Sequence, residues 1–201
     1  MSAKGQPKKS SNNSRAVFAA VAVGVVALGV IAIIAAGGGS DDADDATTVE
    51  SPAPPSGVEV LEVQGGHVDG AVEYPHTPPA GGPHTRGAWQ NCGFYSEPVQ
   101  NEIAVHSLEH GAVWVTYAPD LPAGAVATLR DLVENDDRGM VLVSPFPGLP
   151  SPVVATAWGR QLPLDSPDDP RLVQFVDAFV RGAQAPEPQG PCEGGVGQPD
   201  A

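Results

Sequence analysis

Hydrophobic positions beyond residue 110 follow strand and helix spacing in a regular order. Runs of aliphatic, β-branched and aromatic residues predict three strands, at residues 112–117, 140–143 and 153–158. Apolar side chains recur at helical spacing in residues 123–133, which predicts a helix between the first two strands. A second helix is predicted to begin at Asp169-Pro170, because proline is favoured at the first helical position. Its apolar face would consist of Leu172, Phe175, Val176 and Phe179.

The order of these elements is β-α-β-β-α, which predicts an α+β fold with helices on one face of a small sheet. The first two strands would pair in parallel across the helix, and the last two would form an antiparallel hairpin. Two further elements precede this core. Residues 102–110 (EIAVHSLEH) predict a short helix that Gly111 ends, and the alternating residues 58–63 (VEVLEV) predict an edge strand.

An apolar segment near the N-terminus predicts a membrane anchor. Residues 16–36 are 21 consecutive residues without a charge or a proline, and about 20 apolar residues span a bilayer as a helix. Every lysine of the chain lies in residues 1–15, so this basic tail is expected in the cytoplasm and the rest of the chain outside it. The alternative is a signal peptide cleaved near Ala35-Ala36-Gly37, although its apolar region would be unusually long.

Composition divides the remaining chain into a linker and one domain. Residues 37–57 combine glycine, aspartate and proline and predict a flexible linker, so we assign the extracytoplasmic domain to residues 58–201. Residues 64–101 are dense in glycine, proline and histidine and predict a long loop segment, a feature that is often functional. The Pro/Gly-rich residues 183–201 predict a disordered tail.

The charge distribution restricts the partners of this domain. All 24 acidic residues follow position 40, where six arginines oppose them, so this part of the chain carries a net charge of about −18. Nucleic acids and anionic lipid surfaces are bound through lysine and arginine, which excludes both as partners. The acidic exterior is expected to keep the domain soluble.

Cys92 and Cys192 are the only cysteines of the chain and predict a disulfide, because paired thiols outside the cytoplasm usually oxidise. The bond would attach the C-terminal tail to the core. Closing a loop of about 100 residues would stabilise the fold by roughly 4–5 kcal/mol in the chain-entropy model. A thiol metal ligand or a redox thiol is the alternative, but the sequence has no Cys-x-x-Cys motif.

Two histidines and a glutamate in the predicted helix 102–110 are the strongest candidates for chemistry. On a helix, His106, Glu109 and His110 project into one arc of about 100°, and histidines at positions i and i+4 chelate transition metals. In a strand the two rings would lie about 13 Å apart, so a shared ion requires the helix. The alternative is that these side chains stabilise the helix end or the core.

A further metal ligand is expected from the glycine- and proline-rich loop. His84 follows Gly81-Gly82-Pro83, which permits a tight turn and holds the ring in place. Because a metal site needs three or four converging ligands, we predict one site for copper or zinc. Its ligands would be His84, His106, Glu109 and His110. His67 and His76 have no partner pattern and are interpreted as structural.

Four short motifs resemble a known family. They are GGPH at 81–84, CGFY at 92–95, VHSLEHG at 105–111 and AWG at 157–159. Over residues 58–192 the chain resembles domain-of-unknown-function family 3105, which is found in actinobacterial, often membrane-anchored proteins. The resemblance implies a compartment and a shared constellation of His84, His106, Glu109 and His110, but no activity. Members often carry serine where this chain has Gly81, so no role of a hydroxyl is transferred to that position.

Three functions are compatible with these features. The first is binding of copper or zinc on the outer side of the cell membrane. The second is a metal-independent module that binds a cell-envelope protein or a glycan through the exposed loop segment and aromatic rings. The third is a metal-dependent hydrolase with Glu109 as general base, because HSLEH at 106–110 matches a zinc-protease pattern. We favour the first, which is not an enzymatic function.

Overall fold

The computed structural model describes residues 52–200. The predicted cytoplasmic tail 1–15, the anchor 16–36 and most of the linker lie outside the described residues. The strands are β1 (Glu59–Val60), β2 (His67–Val68), β3 (His84–Thr85), β4 (Gly93–Phe94), β5 (Val113–Tyr117), β6 (Val141–Pro145), β7 (Val153–Ala157) and β8 (Arg160–Leu164). The helices are α1 (Asn101–Glu109), α2 (Ala123–Glu134) and α3 (Arg171–Phe179). Within residues 52–200, no helix has the length and apolar character needed to cross a bilayer.

A mixed sheet with strand order β1-β8-β7-β5-β6-β4 confirms the α+β class. Strand β5 pairs in parallel with β6, as predicted, and α2 connects the two. The predicted hairpin between β6 and β7 is wrong, because β5 lies between them and pairs antiparallel with β7. Strand β7 instead forms a hairpin with β8, whose turn contains Gly159 at φ +66°. The predicted edge strand is confirmed in part, since β1 pairs with β8 at one edge of the sheet.

One face of the sheet forms a core with α2 and α3. Val113, Val115 and Tyr117 of β5 contribute alternate side chains to this core, as the period of two along a strand requires. They pack with Leu129 of α2 and Phe175 of α3, both fully buried. Burying one such side chain stabilises the fold by about 1.5–3 kcal/mol. The predicted apolar face of α3 is confirmed, because all its members are buried, namely Leu172, Phe175, Val176 and Phe179.

The opposite face of the sheet carries α1. Trp114 of β5 and Leu142 of β6 pack there against Val105 and Leu108 of α1. The prediction that the two helices of the β-α-β-β-α core share one face of the sheet is confirmed for α2 and α3, and α1 lies on the other face. The Trp114 indole N–H donates to Ser144 Oγ at 2.9 Å, which satisfies a buried polar group. This packing fixes α1, and with it the histidine motif, against the sheet.

The C-terminal tail is attached to the core by the predicted disulfide, which is confirmed between Cys92 and Cys192. Composition predicts disorder in this tail, whereas the structure gives it specific contacts. The Cys92 N–H donates to the Cys192 carbonyl at 2.8 Å, and the Asp200 N–H donates to the Phe94 carbonyl at 2.8 Å. The tail therefore runs beside the segment that follows His84.

Candidate metal centre

Helix α1 holds His106 and Glu109 one turn apart, both buried. The predicted helix is confirmed over this motif. It ends at Glu109, with His110 as the C-cap residue, and Gly111 follows at φ +87°, a conformation that glycine favours. A Cβ at Gly111 would lie 2.9 Å from Arg181 Cα, so a larger residue does not fit this turn.

His84 is the first residue of β3, which packs against α1, and its side chain is fully buried. Its Nδ1–H donates to the Gly82 carbonyl at 2.8 Å. Gly81 and Gly82 adopt φ of +130° and +127°, and a Cβ at Gly81 would lie 2.9 Å from Val63 Cγ2. The two glycines therefore provide the tight turn that the sequence predicts, and this turn orients the imidazole of His84.

His67 reaches the same place through a short strand pairing. Strands β2 and β3 are parallel, and His67 lies opposite His84 in their register. The two ring centroids are 4.8 Å apart, and the His67 side chain is 33% exposed. From the sequence, His67 is interpreted as structural, so its place in this group is not predicted. One signal was available, because His67 follows Gly65-Gly66 much as His84 follows its own pair of glycines.

Three imidazoles converge on one carboxylate oxygen of Glu109. The distances from its Oε2 to the Nε2 atoms of His84, His67 and His106 are 3.0, 3.8 and 3.9 Å. The four ligand atoms all lie within 4.8 Å of one another, and the Glu109 side chain is 9% exposed. In the described part of the chain, this is the one group of three or more potential metal ligands with such spacing.

Backbone carbonyls determine which ring nitrogen faces this centre. A carbonyl only accepts hydrogen bonds, so Nδ1 carries the hydrogen both in His84 and in His106, which donates to the Ala88 carbonyl at 2.9 Å. In the neutral rings, Nε2 then presents an electron pair toward the carboxylate of Glu109. Both groups are hydrogen-bond acceptors and neither supplies a hydrogen. A proton or a cation must therefore lie between such groups. Metal-bound histidines are typically held by this kind of second hydrogen bond.

The electrostatic environment favours the neutral form of His106. Burial lowers the pKa of His106, and the neighbouring imidazoles of His110 and His84 lower it further, against the opposing effects of the Ala88 carbonyl and Glu109. The ring is therefore neutral near pH 7, which is the form that binds a metal. Within residues 52–200, the ion-pair partners of Glu109 are all histidines, so its charge is balanced by imidazolium or by a bound cation.

His110 lies beside this group. Its ring centroid is 4.7 Å from that of His106, but its Nδ1–H donates to the Pro191 carbonyl at 2.7 Å and its Nε2 lies 3.9 Å from Glu187 Oε2. The structure thus brings together three members of the predicted ligand set, and His67 takes the place predicted for His110. The three are His84, His106 and Glu109.

Comparison with known proteins gives a family and no annotated function. No curated protein and no solved structure is found to match the chain. A sequence profile for the family described as "Protein of unknown function (DUF3105)" matches residues 67–194, a range that includes the whole histidine and glutamate group. The match confirms the family that the four sequence motifs predict. The chain belongs to the DUF3105 family.

Proposed function

We propose that this domain binds one divalent transition metal ion, zinc or copper. The ligands are His67, His84, His106 and Glu109. One observation carries the proposal: three Nε2 atoms surround a single buried carboxylate oxygen, and backbone carbonyls hold two of the rings in the orientation that a metal requires.

The spacing of the ligand atoms supports a tetrahedral ion. Nitrogen and oxygen ligands lie about 2.0–2.1 Å from zinc, which places tetrahedral ligands roughly 3.3 Å from one another. The Oε2 atom of Glu109 lies between 3.0 and 3.9 Å from the three Nε2 atoms, on either side of that value. His67 is the most exposed of the four residues, so its side chain is the freest to adjust when an ion binds.

The donor atoms narrow the choice of metal. Imidazole and carboxylate ligands suit zinc and divalent copper, whereas monovalent copper prefers sulfur and Mg²⁺ or Ca²⁺ prefers oxygen alone. The described residues offer this site no sulfur ligand, because both cysteines form the disulfide and Met140 packs in a different cluster beside Cys192. Zinc and divalent copper are therefore the ions we expect.

The position of Glu109 favours a role as a metal ligand over the role of general base in the predicted hydrolase. A general base must face a substrate or a water, whereas Glu109 Oε2 lies among imidazoles, 3.0 Å from His84 Nε2. That position suits a ligand. The metal-independent module for an envelope protein or a glycan stays a prediction from the sequence.

We also propose that the domain acts on the outer side of the cell membrane, anchored by residues 16–36. The apolar length of that segment and the basic residues before it support this topology. The Cys92–Cys192 disulfide supports it independently, because such bonds persist in oxidising compartments.

Metal analysis of the full chain, purified without a histidine tag, tests the proposed site. We expect one tightly bound Zn²⁺ or Cu²⁺ ion per chain, measured by elemental analysis and equilibrium dialysis. His106→Ala is expected to raise the dissociation constant by more than the roughly 10–100-fold that loss of an outer-shell partner costs. His76→Ala is the matched control, because His76 lines a different cleft with Glu59 and Pro163. Equal affinity in wild type and the His106 variant would contradict the proposal.

A further inference from the structure

His110 has the geometry of a metal ligand although it lies outside the main group. It is 4% exposed, and its Nδ1–H donates to the Pro191 carbonyl at 2.7 Å. His84 and His106 are held in the same way by carbonyls. The Nε2 of His110 therefore presents an electron pair, as theirs do.

The Nε2 of His110 faces a carboxylate. Within residues 52–200 it makes no hydrogen bond, and Glu187 Oε2 lies 3.9 Å away. This distance equals the separation of His106 Nε2 from Glu109 Oε2 in the main group. The backbone N–H of Glu187 donates to the Glu109 carbonyl at 2.9 Å, which fixes Glu187 at the end of α1 while its side chain stays 62% exposed.

The surroundings of His110 keep its ring in one orientation. The Trp89 and His110 ring centroids are 5.2 Å apart. On another side, a Cβ at Gly190 would collide with the imidazole, so the tail passes directly against it. Cys192, two residues later, is bonded to Cys92 and holds this part of the tail in place. His110 thus offers a fixed nitrogen ligand, and Glu187 offers an adjustable oxygen ligand reached from solvent.

We propose that His110 and Glu187 form a second, weaker site for a divalent transition metal beside the main one. Two protein ligands leave the remaining coordination positions to water, so this site binds less tightly than a site with four protein ligands. The ring of His110 contacts that of His106, with centroids 4.7 Å apart, so the two sites adjoin. The identity of the metal rests on the proposed function, whereas the ligands are different residues.

Equilibrium dialysis of the untagged full chain against Zn²⁺ tests the second site. Wild type is expected to bind one tight and one weaker equivalent. Glu187→Gln is expected to raise the dissociation constant of the weaker equivalent by about tenfold or more and to leave the tight one unchanged. The variant keeps the backbone hydrogen bond to Glu109, and its side chain is exposed, so we expect it to fold as wild type does. Glu193→Gln, an exposed acidic residue of the same tail, is the control and is expected to change neither equivalent. His110→Asn is the second test and is expected to remove the same equivalent as Glu187→Gln.

The outcomes separate this inference from the proposed function. A single equivalent in wild type, or a weaker equivalent that both Glu187→Gln and His110→Asn leave unchanged, would overturn the second site alone. A weaker, Glu187-dependent equivalent without a tight one would support the second site and contradict the proposed main site. Absence of bound Zn²⁺ would overturn both.

Discussion

Replacing Glu109 by glutamine is expected to separate metal binding from folding. The carboxylate is 9% exposed, and its Oε2 lies 3.0 Å from His84 Nε2. Because His84 already donates its Nδ1–H to the Gly82 carbonyl, the neutral ring offers the carboxylate another acceptor. Glutamine has nearly the same shape, carries no charge and has an amide N–H that can donate to this nitrogen.

The expected effects on stability differ with and without metal. Without metal, a proton between His84 Nε2 and Glu109 Oε2 completes this contact in wild type, and the amide N–H completes it in the variant, so Glu109→Gln should change the free energy of unfolding of the metal-free protein by only about 1 kcal/mol or less. For wild type, Zn²⁺ at 100 times its dissociation constant adds about 2.7 kcal/mol. In domains of about 150 residues or more, 1 kcal/mol shifts Tm by about 2–4 °C, so Zn²⁺ should raise the wild-type Tm by roughly 5–11 °C. The variant should lose most of this shift.

Thermal unfolding followed by circular dichroism, with chelator and with Zn²⁺, measures both effects. Glu102→Gln is the matched control, since Glu102 is a buried glutamate of the same helix. Its carboxylate accepts the Val72 N–H at 2.8 Å and the Gln100 side-chain amide at 3.2 Å, so the control should lose stability but keep the Zn²⁺ shift. The reasoning is refuted if Glu109→Gln destabilises the metal-free protein as the control does, or if it retains the full shift.

Three further changes test the structure around the site. Gly81→Ala should lower the free energy of unfolding by about 1 kcal/mol or more in urea titrations, because φ is +130° and a Cβ there has no room. Replacing Cys92 and Cys192 by alanine opens a loop with a sequence separation of 100 and should cost about 3–5 kcal/mol; an unchanged urea midpoint would contradict this. Ser144→Ala leaves the buried indole N–H of Trp114 without its acceptor and should cost about 1–3 kcal/mol, measured by tryptophan fluorescence during unfolding.

Local periodicity predicted most elements, whereas strand pairing depended on contacts that are distant in sequence. Helix α2 was predicted at 123–133 and covers Ala123–Glu134, because its apolar positions repeat at helical spacing. Strand β8 was not predicted, since Pro163 interrupts it and proline cannot donate to a neighbouring strand. The structure tolerates Pro163 because β1 pairs only with Arg160 and Gln161, which leaves β8 as an edge strand at the proline.

Which histidines are ligands depends on where α1 ends and on the pairing of β2 with β3. The hydrophobic periodicity of the sequence predicts neither feature. A continued helix would place His110 on the same face as His106, which is why the sequence predicted both as ligands of one ion. The helix ends at Glu109, however, and His110 adopts ψ of 0° with its Nδ1–H directed to the tail. His67 joins the group only because β2 pairs in register with β3. Two of the four ligands, His67 and His84, therefore lie on short segments that follow glycine pairs, whereas His106 and Glu109 lie on α1, which packs against the sheet. Changes at Gly81 or in the His67 strand should accordingly lower metal affinity well before they unfold a domain whose stability comes from the sheet and its helices.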